Sequence, residues 1–219
     1  MKPFEKWETE EIELTFGIKK VGLTPKMKEW LDADEPADDV ETLLLKRYWL
    51  RLSEQANFWN EDEIKFLFIS NLITLVDFYK KDVYSTFTQR TINTTVKDSH
   101  QNDQILRGRV ELLVAEGKQR PRQPYFFLHE YKPQYKNTAN DPLGQLLIAM
   151  IATYSLNEEP RPLYGVYVVG QFWRFVIFEG SFYEESPAFD ATNEKDLFKI
   201  FSILKRCKTY IEKSVAQPS

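Results

Sequence analysis

Two long apolar runs joined by a short polar connection constrain this chain more than any other feature. The first reads Ile105-Leu106-Arg107-Gly108-Arg109-Val110-Glu111-Leu112-Leu113-Val114-Ala115 and the second Tyr125-Phe126-Phe127-Leu128-His129-Glu130-Tyr131-Lys132-Pro133. Both have strand composition, and residues 116–124, bearing Pro and Arg, form the connection. Side chains alternate along a strand, so Glu130 and Lys132 share one face and Tyr131 takes the other. A carboxylate and an ammonium two residues apart in so apolar a run cost free energy unless they serve something. If the runs pair as a hairpin, Glu111, Glu130 and Lys132 converge. The same trio also reads as a cross-strand salt bridge on an exposed face, which strands this apolar disfavour.

A chain of 219 residues suffices for one large domain or two small ones, and 42% hydrophobic with 15% aromatic residues is enough for a substantial core. The formal net charge of -4 argues against a uniformly basic nucleic-acid coat and leaves room for a local basic groove. The single cysteine, Cys207, excludes an intramolecular disulfide and reads as a buried thiol late in a helix. The start, Met1-Lys2-Pro3-Phe4-Glu5, has no apolar signal region, and no run reaches the roughly 18 apolar residues of a spanning helix. The expectation is a soluble cytoplasmic protein with no membrane partner.

Along the chain, residues 11–16 alternate like a strand and also fit a short helix capped by Thr9, with the helix preferred. Thr24-Pro25 reads as an N-cap with Pro at the first helical position. Val40, Leu44, Tyr48, Leu52, Ala56 and Trp59 form a helical stripe. Asn60 and Glu63 form a capping box opening a helix to about Tyr79. Residues 83–96 read as a strand, followed by a polar loop over 97–104 and the two central strands. Asp141-Pro142 opens a helix whose buried side is Leu143, Leu146, Leu147, Met150, Ile151 and Tyr154. Residues 163–169 and 172–178 flank Gly170-Gln171, a two-residue hairpin signal. Asn193-Glu194 starts a last amphipathic helix through Leu197, Phe201, Leu204 and Ile211. A helix between the third and fourth strands permits a mixed sheet with helices on its faces.

With an acid, Glu111, on one strand and the acid-x-Lys of Glu130 and Lys132 on the next, the chain resembles the PD-(D/E)XK nuclease superfamily over about residues 60–178. It is also similar to the nuclease-like domains of type I restriction enzyme motor subunits. Where the family usually has Asp as first acid, this chain has Glu111. The resemblance implies an α/β fold: a mixed central β-sheet flanked by helices, with a restriction-endonuclease-like αβββαβ core. The expected organisation is one domain, a helical extension over 1–59 and a nuclease-like core over 60–215. The implied activity is hydrolysis of DNA phosphodiester bonds with Mg²⁺ or Mn²⁺. Glu111, Glu130 and the Tyr131 carbonyl would hold the metal, and Lys132 would orient the attacking water and stabilise developing charge. Gln145, on the helix after the acid-x-Lys strand, would point into the site, although it also reads as a surface glutamine. Glu63 would be the acid on the first core helix, although the capping box explains it fully. The alternative function is a catalytically inactive member of the fold that binds nucleic acid or a protein partner. A homodimer or a partner subunit is compatible with either.

His129 lies on the strand face opposite Glu130 and reads as a packed, hydrogen-bonded histidine, while His100 falls in a polar loop. The basic stretch Lys118-Gln119-Arg120-Pro121-Arg122 belongs to the hairpin turn, away from Lys132. Arg107, Arg109, Lys132 and Lys136 are nearer the expected site and better suited to phosphate contacts.

Overall fold

The computed structural model describes residues 2–132 and 141–216, with the backbone alone at Pro124 and Lys132. The chain opens with a 3-10 turn (Phe4–Lys6), helix α1 (Thr9–Phe16), the edge strand β1 (Lys19–Lys20), α2 (Pro25–Leu31) and α3 (Asp39–Gln55). Then come α4 (Glu61–Ile64), a π-helical turn (Lys65–Ile69) and α5 (Ser70–Val76). Three consecutive strands follow, β2 (Ser85–Lys97), β3 (Asp103–Glu116) and β4 (Arg122–Lys132). Helix α6 (Pro142–Leu156) leads to β5 (Leu163–Val169), β6 (Phe172–Phe178), β7 (Phe182–Glu185), β8 (Phe189–Asp190) and α7 (Glu194–Ala216).

The sheet is mixed, in the order β1-β7-β6-β5-β4-β3-β2, with β8 also paired to β6. β2, β3 and β4 are successively antiparallel, whereas β4 and β5, joined across α6, are parallel. Alternation along β5 and β6 sends Val166, Val168, Trp173, Phe175 and Ile177 into one core and Tyr167, Val176 and Phe178 into the other. The first core is covered by α2, α3, α5 and α7, the second by α1 and α6. Helices therefore flank both faces of the mixed sheet.

Several sequence expectations change in detail. Thr9 does not cap α1. Glu8 holds the N-cap position without a side-chain bond, and the Thr9 amide and hydroxyl donate instead to Asp141 Oδ2 at 2.8 and 2.5 Å. The other Asp141 oxygen accepts from the Gly144 amide at 3.0 Å, so one carboxylate ties α1 to the start of α6. On α3 only Leu45 and Leu52 are buried, and Val40 is 64% exposed. Of the expected stripe, Leu52 enters the core, Tyr48, Ala56 and Trp59 pack half-buried against it, and Val40 at the first turn stays outside. Helix α6 is buried on all sides from Gly144 to Thr153, because the sheet lies beneath it and α1 and the first turn lie above. Burying Leu146, Leu147, Ile148 and Met150 contributes about 1.5–3 kcal/mol each.

The helix expected to run from Asn60 to Tyr79 is interrupted. Over Lys65–Ile69 it widens into a π turn, and it ends at Asp77 in the left-handed conformation (φ 57°). The displaced carbonyls find side-chain donors. The Ser70 hydroxyl bonds to the Lys65 carbonyl at 2.7 Å, and the Asn71 amide bonds to that of Leu67 at 2.9 Å. The short strands β1, β7 and β8 have no signal in the sequence; each is held by pairing with a neighbour already in the sheet.

Candidate active site

The site begins where two strands part. β3 pairs with β4 from Glu116–Arg122 to Leu112–His129, and among the described residues the register ends there. β4 stays paired to β5 as far as Lys132–Val169, and β3 to β2 as far as Asp103–Lys97. Glu111 and Glu130 are the first residues beyond the last pair, one on each arm of the fork.

The fork coincides with a switch of faces. Phe87 and Ile92 on β2, and Val110 and Leu113 on β3, lie in the same core cluster although their spacings are odd. Regular alternation would put each pair on opposite faces. The irregularity falls at Gln89, whose φ is 54°, between the pairs Thr88–Leu112 and Arg90–Val110. Its side chain reaches across the ribbon, and Gln89 Nε2 donates to Glu111 Oε2 at 2.6 Å.

The same carboxylate oxygen meets a cation that the sequence reading missed. Lys65 Nζ, at the head of the π turn, lies 3.0 Å from Glu111 Oε2 and 2.7 Å from Glu61 Oε1. It also sits 5.6 Å from the centre of the Tyr131 ring. Burial alone would lower the Lys65 pKa, but the two carboxylates outweigh it and hold the ammonium above its usual range. Burial, and then the Glu61 charge, pushes the Tyr131 phenol well above its ordinary range. Only the Glu61–Lys65 spacing, an i,i+4 pair on a helix, was visible beforehand.

Glu63 does not share this cluster. Its carboxylate accepts from the Asn60 amide at 2.7 Å while the Glu63 amide donates back to Asn60 Oδ1 at 3.0 Å, completing the capping box. On the first core helix the acid beside Glu111 is Glu61.

Glu130 is 1% exposed and pairs with Tyr167 on β5. Tyr167 in turn pairs with Arg174, and its hydroxyl donates to Glu185, which also lies 3.4 Å from Arg174 Nη1. A polar row thus crosses β4, β5 and β6 on the α6 side of the sheet. Gln145, in the first turn of α6, is buried, so it is not a surface residue, and its Oε1 has no hydrogen-bond partner among the described residues. The Lys132 backbone closes β4, whereas its side chain, Pro133 and Lys136 lie outside the described residues.

His129 packs its ring 5.8 Å from Trp173 on the face opposite Glu130. Burial, and then the Lys65 charge, lowers its pKa to about 3, so the imidazole is neutral. Its Nε2 has no hydrogen-bond partner among the described residues.

No family model matches the chain, and no curated protein matches it. The site must therefore be judged on its own chemistry. It offers hard carboxylate oxygens, a neutral imidazole turned away, and no thiol; Cys207 is buried in α7. Among the described residues no three acidic, imidazole or thiol groups form a metal-holding set. Mg²⁺ does not need such a cage, since it takes one or two carboxylates and retains water. The donor chemistry fits that ion. No helix among the described residues is long and apolar enough to cross a membrane.

Proposed function

We propose that the protein is a Mg²⁺- or Mn²⁺-dependent nuclease with a PD-(D/E)XK-like core, hydrolysing phosphodiester bonds of DNA. The observation that carries this reading is the fork: Glu111 and Glu130 stand first on the two arms where β3 and β4 separate. Lys132 follows Glu130 by two positions on the same strand. The succession α5, β2, β3, β4, α6 and β5, with β5 parallel to β4, supports reading these elements as an αβββαβ core.

Glu111 and Glu130 would hold the metal across the open end of the fork, Glu111 from the face of the Tyr131 ring and Glu130 from the α6 face, with the Tyr131 carbonyl as a third ligand. When bound, the ion supplies a more acidic water and neutralises charge on the phosphate. The chain's own groups do the rest. Lys132 orients the water and stabilises charge developing on the phosphate oxygens. Gln89 fixes the rotamer of Glu111 through the 2.6 Å bond. Buried Gln145 offers an amide from α6. The test is cleavage of DNA with Mg²⁺, with Mn²⁺ and with chelator. Wild type cleaves only with metal, and Lys132→Ala lowers the rate by about 10²-fold with the fold intact. Full cleavage in excess chelator sinks the reading.

A second reading, a catalytically silent member of this fold that binds nucleic acid, draws on Lys65. A cation already held between Glu61 and Glu111 is what a carboxylate site without metal would need. Metal-dependent cleavage separates the two.

A further inference from the structure

Beyond the fork, β2 and β3 continue as a two-stranded ribbon. Its inner face is filled: Ile92, Leu106 and Val110 pack with Phe4, Trp7 and Ile12. Gly108 admits the Phe4 ring so closely that a Cβ there would lie 2.0 Å from Phe4 Cγ. Its outer face is bare. Thr91, Asn93 and Thr95 on β2 and Ile105, Arg107 and Arg109 on β3 are all exposed. Register places Thr91 opposite Arg109, Asn93 opposite Arg107 and Thr95 opposite Ile105.

Charge on this face is one-sided near the fork. At the ribbon's far end Lys97 is paired with Asp103 at 2.8 Å, so that end is locally neutral. The next charged residues inward are Arg107 and Arg109, alternate positions about 7 Å apart along the strand. Glu111 follows at the next alternate position, at the start of the fork. A chain of net charge -4 thus presents two guanidinium groups, flanked by hydroxyl and amide side chains, on the stretch of β3 that leads to Glu111.

We infer that the outer face of the β2–β3 ribbon binds duplex DNA, with Arg107 and Arg109 on the phosphate backbone, and leads one strand to the fork. The inference deepens the nuclease reading by naming the form of its substrate, and it rests on that reading for what happens at the fork. Arginine is suited to phosphate because its donors form a planar fork. Thr91, Asn93 and Thr95 supply uncharged donors of the kind that contact sugar, phosphate and base edges. The roughly 12 Å major groove of B-form DNA admits a two-stranded ribbon, whereas the major groove of A-form RNA is too narrow for side-chain readout.

The test is binding by fluorescence anisotropy in chelator, using labelled duplex DNA, single-stranded DNA and duplex RNA across a salt series. Wild type binds duplex DNA most tightly. Arg107→Glu/Arg109→Glu weakens it at least about 10-fold and flattens the salt slope by about 2, one per lost phosphate contact. Arg120→Glu/Arg122→Glu, in the exposed turn and at the first residue of β4, at the other end of β3 and β4, stays within about 2-fold of wild type. Equal loss in the two variants, no loss in the first, no binding by wild type, or equal affinity for all three nucleic acids overturns the inference. Cleavage keeps the two claims apart. If Glu111→Gln abolishes metal-dependent cleavage while the ribbon variant binds normally, the nuclease reading stands and the ribbon assignment falls. If wild type never cleaves yet binding depends on the ribbon, the ribbon assignment stands and the nuclease reading falls.

Discussion

Lys65 Nζ lies 3.0 Å from Glu111 Oε2, joining the π turn to the strand that opens the fork. Both side chains are about three-quarters buried. The contact makes the lysine the resident counter-ion of the leading metal-ligand candidate, and most of the expected behaviour follows from it.

Removing that cation leaves Glu61 and Glu111 facing each other without compensation. Lys65→Met is expected to destabilise the metal-free protein by about 1–3 kcal/mol, between the values for exposed and fully buried pairs. Mn²⁺ should then raise the melting temperature of the variant more than that of wild type, because the ion no longer competes with an ammonium and stabilises only the folded state. Urea unfolding in chelator and thermal melts with Mn²⁺ measure both effects. A variant as stable as wild type would mean that Lys65 contributes nothing to holding the carboxylates.

Glu111→Gln removes one carboxylate from the same cluster. Two bare anions would gain from the change, but here Lys65 already offsets the charge. The expected outcome is neutral to about 1.5 kcal/mol destabilising in chelator, with the metal-induced rise in melting temperature lost. An equal metal response in wild type and variant removes Glu111 from the ligand set.

His129 makes the protein acid-sensitive. Its folded pKa is lowered to about 3 from an ordinary 6.5, so the unfolded chain takes up a proton that the folded one refuses. The stability this residue contributes is complete above pH 6.5 and drains away as pH falls toward 3. Within that window the slope is about 1.4 kcal/mol per pH unit from this one group. Comparing urea unfolding of wild type and His129→Gln between pH 7 and pH 4 isolates it, since other groups titrate in both proteins. Parallel curves would show that the imidazole becomes protonated within the fold.

Gly108→Ala tests how the ribbon is held. The added methyl would meet the fully buried Phe4 ring at 2.0 Å, and this ring packs among neighbours that leave it little room. Overpacking of this kind costs about 1–3 kcal/mol. Phe4→Leu in the same chain should recover part of the loss by clearing the ring. A melting temperature unchanged by Gly108→Ala alone would mean that the first turn is free to lift off the ribbon.

The sequence by itself determined the elements whose signals are local. Alternation and apolar content marked β2 to β6, Asn60 with Glu63 and Asp141 with Pro142 marked helix starts, and the mixed α/β class followed from their order. Such signals depend on neighbours within a few residues, where propensity, capping and side-chain period act. Tertiary structure decided what depends on residues far apart in sequence. The short strands β1, β7 and β8 exist because paired neighbours satisfy their backbones. The π turn places Lys65 against Glu111, 46 positions later in the numbering. Gln89 and Glu111 reverse the faces of two strands at once, which no single run of alternation can reveal. The fork is of the same kind: it is the place where β4 follows β5 and β3 follows β2, and a strand's choice between two partners is made by packing on both faces of the sheet.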